Sequence, residues 1–262
     1  MFTYLDDGAG ADQDRDEAVR LSAEVKRDVL LSGFVANEEK SKWDPVQCGE
    51  LLGFIMDLRS GTFQVDALKQ LLNDTIAKKF VVSARHLSRI TGSLVSMGLA
   101  LGPVARLWTR ALYRDICQTV QWDMPFLISQ ESQAEVQFWR VNFDTGGYPI
   151  WSSSPKVEVI TYSDASGQGW GGFAVQLSDK VARGSWSREE SEKSSMFREV
   201  TAIRHVLESF AGLVRGKDVL HLTDNRNVDI VLPVGSRNKE LHMEAVAVYR
   251  LCQEVGMRLT VE

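Results

Sequence analysis

Val157-Glu158-Val159-Ile160-Thr161-Tyr162-Ser163-Asp164, running on through Ala165-Ser166-Gly167-Gln168-Gly169-Trp170-Gly171-Gly172, is the stretch on which the fold turns. Its first eight residues are a β-rich run that ends in an aspartate. The glycines after it join that run to a second strand, Trp170 to Leu177. A similar run, Val219-Leu220-His221-Leu222-Thr223-Asp224, also ends in an aspartate. Around these lie a strand over Val181 to Trp186, a helix over Ser195 to Ala211, a helix over Glu240 to Val255 and a strand over Met257 to Val261. Three strands followed by alternating helix and strand predict a mixed sheet with helices packed on it. In open sheets with crossover helices, sites form beyond the carboxyl ends of the strands, so neighbouring parallel strands would bring Asp164 and Asp224 together. Like charges there repel unless a cation intervenes.

Helical phase marks a third carboxylate. Glu199 shares a face with Ile203, Val206 and Phe210, where an unpartnered carboxylate costs several kcal/mol to bury and so calls for a metal or an arginine. Asp164, Glu199 and Asp224 form an all-oxygen set suited to Mg²⁺ or Mn²⁺. Two such ions about 4 Å apart activate a water and stabilise the leaving oxygen in phosphodiester cleavage. Taken singly, each aspartate also reads as a turn or cap residue and Glu199 as a first-turn glutamate paired with an arginine. Taken together, the three favour the metal reading. The glycine-rich turn alone is a weak phosphate signal.

Upstream, Phe2 to Leu5 is a short apolar stretch running into Asp6-Asp7-Gly8, and Asp16 to Leu31 has helical spacing that ends at Gly33. Leu51 to Leu58 and Thr62 to Val65 read as a hairpin around Arg59-Ser60-Gly61. From Asp66 the period becomes helical, with Leu68, Leu71, Leu72, Ile76 and Phe80 on one face. A second helix follows, capped by Ser83, and a third starts at Pro103. On the third, Arg106, Arg110 and Arg114 recur every four residues and form one stripe. Residues 121–156 read as a heterogeneous connector punctuated by Pro125, Asp144-Thr145-Gly146-Gly147, Pro149 and Ser152-Ser153-Ser154-Pro155, with a domain boundary near Pro155.

Composition fits this reading: 262 residues, 44% hydrophobic and 25% charged, exclude disordered, collagen-like and disulfide-scaffold classes. No run of about 18 apolar residues occurs, and Met1 to Asp7 lacks the order of a secretory signal. The expectation is an intracellular chain without membrane attachment. Cys48, Cys117 and Cys252 are far apart and read as packing residues. The formal charge of −5 conceals an uneven distribution. Residues 1–60 carry 7 basic and 13 acidic side chains, residues 61–120 carry 8 and 3, and residues 121–262 carry 15 and 19. The middle segment is the basic one. Lys78, Lys79, Arg85 and Arg89, with the arginine stripe, are its candidates for contact with phosphates, although a solvated helix face explains any one of them equally well. Trp170 and Trp186 are candidate stacking platforms but read better as core residues. His86, His205, His221 and His242 show no ligand spacing and receive no role.

Tyr162-Ser163-Asp164-Ala165-Ser166 leading into Gly169-Trp170-Gly171-Gly172, then Arg198-Glu199, then Leu222-Thr223-Asp224-Asn225, resembles the ribonuclease H domain of retroelement polyproteins. The resemblance implies that Asp164, Glu199 and Asp224 are metal-ligating catalytic residues of an enzyme that cuts the RNA strand of an RNA/DNA hybrid. It also implies a fourth acidic ligand after the last strand, where this sequence ends at Glu262. Tyr4-Leu5-Asp6-Asp7 looks like the Y-x-D-D hairpin of reverse transcriptases, whose aspartates hold polymerase metals, and Leu51-Leu52-Gly53-Phe54 resembles the primer-grip hairpin. With Leu101-Gly102-Pro103-Val104-Ala105-Arg106-Leu107, the order is most similar to the DIRS-like group.

The implied architecture is α/β and α+β. A reverse-transcriptase palm remnant occupies 1–65, a helical thumb-like segment 66–120 and a connector 121–156. A ribonuclease H-like mixed five-stranded sheet with flanking helices occupies 157–262. The family's fingers and first palm aspartate would precede Met1, so Asp6 and Asp7 are not expected to support polymerisation. Three functions compete: metal-dependent hydrolysis of RNA in hybrids, a catalytically incomplete nucleic-acid-binding remnant, and a sugar-kinase or actin-like ATPase. The last would need a second copy of the Asp164 to Gly172 unit, which is not found.

Overall fold

In the computed structural model, which describes residues 2–4, 7–51, 54–143, 148–149, 156–177 and 180–262, the chain opens with a hairpin of β1 (Phe2–Tyr4) and β2 (Asp7–Ala9). Helix α1 (Arg15–Leu31) starts at Asp14, whose side chain accepts from the Asp16 and Glu17 amides, and it ends ahead of Gly33 at φ +82°. Strands β3 (Cys48–Leu51), β4 (Phe54–Asp57) and β5 (Thr62–Gln64) are antiparallel neighbours. The expected hairpin is therefore present, turning at Gly61 with φ +65°. Leu52 and Gly53 of the primer-grip-like motif lie outside the described residues.

Helices α2 (Asp66–Ala77) and α3 (Ala84–Ser96) flank the short β6 (Val81–Val82). Leu68, Leu72, Leu87, Ile90 and Leu94 are fully buried along their apolar faces, and Ser83 caps α3 by accepting the His86 amide, as its position suggested. A short helix α4 (Gly98–Leu101) follows α3, and the third helix expected from Pro103 is instead two short ones, α5 (Val104–Leu107) and α6 (Arg110–Gln118). The break between the last two has a side-chain cause. Trp108 turns into the core, its carbonyl accepts from the Trp139 indole at 2.7 Å, and the Thr109 hydroxyl bonds back to the Ala105 carbonyl at 2.8 Å. Arg106 thus sits on a different helix from Arg110 and Arg114.

The presumed irregular connector also differs from expectation. It holds β7 (Phe126–Leu127), paired with β6, the 13-residue helix α7 (Gln130–Asn142), and β8 (Tyr148–Pro149), which pairs with β5. Ser132, Val136, Trp139 and Phe143 share one buried face of α7. Interspersed Gln and Glu mask that period in the sequence, and Ser129 provides the cap. The Asp144 to Gly147 turn and the boundary at Pro155 lie outside the described residues.

The C-terminal part meets the expectation of a mixed five-stranded sheet with flanking helices. Its elements are β9 (Val159–Ala165), β10 (Gly169–Ala174), β11 (Val181–Ser185), α8 (Arg188–Ser191), α9 (Ser195–Ser209), α10 (Ala211–Val214), β12 (Asp218–Leu222), α11 (Arg226–Val234), α12 (Lys239–Val255) and β13 (Arg258–Val261). The strand order is β11-β10-β9-β12-β13. β9, β10 and β11 pair antiparallel, and β12 runs parallel to both β9 and β13. Helix α11 is an addition to the sequence reading, which stopped at the aspartate before it.

Ile203, Val206 and Phe210 bury one face of α9 against the sheet, and Gly172 permits the approach, because a Cβ there would overlap the Tyr162 carbonyl and the Val206 side chain. The buried apolar side chains form one cluster running from Leu68 in α2 to Met257 beside β13. Trp186 is buried and donates its indole N–H to the Ser166 carbonyl at 2.9 Å, while Trp170 stacks on His205. The cysteines depart from the packing role expected of them: Cys48 and Cys117 are exposed, and Cys252 alone packs against the core. No helix among the described residues is long and apolar enough to cross a membrane.

Candidate functional site

The parallel register of β9 and β12 levels two of the three carboxylates. Leu222 pairs with Tyr162, so Asp224 and Asp164, each two residues further on, reach the same height at the carboxyl end of the sheet. Asp164, next to last in β9, lies beside Gly171 of β10, with one carboxylate oxygen accepting the Ala165 amide at 2.8 Å. Asp224 stands in the tight bend before α11, whose cap is Asn225. Both aspartates are exposed.

Helix α9 supplies the third carboxylate. Ser194 caps it, and Glu199, just over one turn in, is half-buried on the face that continues into Ile203 and Val206. Burial pushes the Glu199 carboxyl up to about 7, with the charges of Asp164 and Asp224 adding to the rise and Arg198 opposing it. The alternative of a simple Glu–Arg pair is not what is found. Arg198 points its guanidinium at the Ser191 carbonyl, 2.9 Å away, and Glu199 has no hydrogen-bond or ion-pair partner among the described residues. Both aspartate charges thus reach Glu199 from the same edge of the sheet. The three carboxylates suit a hard divalent cation by donor type, although among the described residues no three such side chains are already drawn into a ligating cluster.

Sequence reasoning missed His221. It is fully buried in β12 and bridges two hydroxyls of β9: Nδ1 meets Thr161 Oγ1 at 2.9 Å and Nε2 meets Ser163 Oγ at 3.0 Å. Thr161 and Ser163 lie two apart on one face of the strand that leads into Asp164, so the imidazole fixes the strand beneath that carboxylate. The signal was the hydroxyl pair at i, i+2 opposite a strand histidine.

The remaining sequence-predicted residues are scattered. Asp6 lies outside the described residues, and Asp7 opens β2 in register with Tyr4. Lys78, Lys79, Arg85 and Arg89 are exposed around the α2–α3 corner, where Lys79 adopts φ +53°. Arg85 is engaged with Asp123 through a two-pronged contact. Arg106 is exposed, and Arg110 and Arg114 are half-buried.

No family model matches this sequence, and no curated protein matches it. Solved structures do. A foamy viral protease-reverse transcriptase in complex with double-stranded DNA aligns over 96% of this chain and 44% of its own, at 12% identity and a TM-score of 0.38. A foamy viral protease-reverse transcriptase in complex with an RNA/DNA hybrid aligns over 96% of this chain and 34% of its own, at 11% identity and a TM-score of 0.39. A further complex with double-stranded DNA gives 94% and 51%, at 11% identity and a TM-score of 0.36. The chain therefore spans between a third and about half of the length of the structures it matches. With TM-scores this low, the architecture rests on the strand order and register above.

Proposed function

We propose that this chain hydrolyses the RNA strand of RNA/DNA hybrids in a reaction dependent on Mg²⁺ or Mn²⁺, with Asp164, Glu199 and Asp224 as ligands. What supports the reading is that β9 and β12 in parallel register bring Asp164 and Asp224 to the carboxyl edge of a mixed sheet, where α9 holds Glu199 within reach of both charges. When bound, divalent ions supply Lewis acidity to an attacking water and to the leaving oxygen of a phosphodiester. The chain's own part is positional. Two strands in fixed register hold the aspartates, α9 delivers the glutamate across Gly172, and the Thr161–His221–Ser163 lock keeps β9 in place. The N-terminal hairpins and the basic helices fit a reverse-transcriptase-like palm and thumb of DIRS-like type, which supplies the duplex-binding surface.

The test is cleavage of a labelled RNA/DNA hybrid by purified protein with Mg²⁺ or Mn²⁺, beside an Asp164→Asn variant and a single-stranded RNA control. Hybrid-specific cutting that the substitution abolishes supports the reading. Absence of cutting with salt-sensitive hybrid binding retained favours the second reading, a nucleic-acid-binding protein without turnover. The lack of a pre-drawn ligating cluster among the described residues is the observation on its side.

A further inference from the structure

The helical segment and the sheet meet along the turn between α11 and α12. There Arg110, at the start of α6, donates from Nε to the Val234 carbonyl at 3.0 Å. Gly235, at φ +71°, lies so close to His242 and Leu107 that a Cβ would overlap the imidazole. Arg106 from α5 and Arg237 from the turn stand near Arg110, and their charges, after its burial, push its pKa down. The Arg110–Val234 bond and the approach of Leu107 to Gly235 thus bring Arg110, Arg106 beside Leu107, and Arg237 two residues after Gly235 to one junction, each from a separate element.

Arg106 and Arg237 are exposed and have no ion-pair partner among the described residues. Glu135, the carboxylate that Arg110 does sense, is committed to the Ala111 and Leu112 amides at 2.9 Å each. Arg114, one turn along α6, faces Glu131 and Glu135 instead, and Lys239 pairs with Glu131. Arg114 and Arg110 both still face His242, but Arg114 also has the two glutamates of α7 beside it, while Arg110 has Arg106 and, from the far end of the sequence, Arg237.

The position is as informative as the charge. Helix α12 carries the chain back to the amino end of β13, so its own N-terminus, with Arg237 just ahead, lies on the carboxyl side of the sheet. Lys193, immediately before α9, confirms the side by pairing with Glu240 in the first turn of α12 at 2.7 Å. That is the side of Asp164, Glu199 and Asp224.

We propose that Arg106, Arg110 and Arg237 form a clamp for a backbone phosphate of a nucleic-acid duplex, spanning the junction between the helical segment and the sheet. Guanidinium forks match phosphate oxygens with paired hydrogen bonds, and an anion relieves the repulsion among them. Val234 holds Arg110 in place through Nε and leaves its terminal nitrogens without a protein partner among the described residues, so only two side chains need ordering.

The inference rests on the nucleic-acid reading above, and its test separates the two. Binding of a labelled RNA/DNA hybrid is measured against NaCl concentration for the full chain, Arg237→Gln, Arg106→Gln with Arg237→Gln, and a control, Arg215→Gln, at the amino side of the sheet. One shared phosphate is counted once in the slope, so Arg237→Gln should weaken binding with little change of slope, and the double variant should show a slope smaller by about 0.9 in total. The control should show neither change. An unchanged slope in the double variant overturns the clamp, and so does a loss of about 0.9 at each of the two steps, which means two separate phosphates. Hybrid cleavage assayed on the same proteins at saturating concentration reports on the ribonuclease reading independently: cleavage with an unchanged slope sinks only the clamp, and a reduced slope without cleavage sinks only the ribonuclease reading.

Discussion

His221 shows how one side chain ties stability to pH. An imidazole titrates near 6.5 in the unfolded chain, and burial holds this one down at about 4. Between those values the unfolded state takes up a proton that the folded state refuses. The contribution is complete above about pH 6.5 and is lost as the pH falls through about 4. The difference amounts to about 3 kcal/mol. His221→Gln can keep both hydroxyl partners but cannot titrate, so its unfolding free energy in urea should fall less than that of the parent between pH 7.5 and pH 4, by about that amount. Equal pH dependence in the two proteins would show that the imidazole reaches solvent. The sequence placed this histidine in a strand correctly, but pattern gives no access to which hydroxyls of the neighbouring strand face it, because that depends on register.

At the level of elements, two helices depend on contacts from outside themselves. Helix α9 lies close to the sheet only because position 172 lacks a side chain, so Gly172→Ala should cost about 1–3 kcal/mol and lift Glu199 away from Asp164. Thermal unfolding checks the first effect and loss of hybrid cleavage the second. Helix α6 has no side-chain cap of its own. Its second and third amides are satisfied by Glu135 from α7, a carboxylate whose pKa burial pushes up to about 7 while those amides pull it back. Glu135→Ala leaves two buried N–H groups without partners and should lower stability by about 2–3 kcal/mol, read from the urea midpoint. The sequence was informative where caps and periods were local: Ser83 before α3, Glu199 in phase with Ile203 and Val206, and the strands ending at the aspartates. It was silent on α7 and on the break at Trp108, since both depend on partners far along the chain.

For the whole molecule, the decisive contact is aromatic. Trp108 stacks on Phe138 with centroids 3.9 Å apart, meets Tyr249 of α12 edge-on at 6.0 Å and lies under Arg250. The apolar cluster is continuous across this point, so the helical segment and the sheet should melt in a single calorimetric transition. Trp108→Ala should cost about 3–5 kcal/mol and separate that transition into two. A variant that still melts as one unit would show that the remaining contacts couple the halves. Composition and charge could not reveal this coupling, because the residues 121–156 that read as a spacer carry half of the stack. The same continuity gives the thiols unequal chemical lives. Cys48 and Cys117 should react with a disulfide reagent at once, whereas burial pushes the Cys252 thiol on α12 up to about 12 and withdraws it from reaction. Modification of that partly buried third sulfur should be slow in the native state and quicken as α12 parts from the core, so its labelling rate reports the opening of the native molecule, present in the chain without any engineered probe.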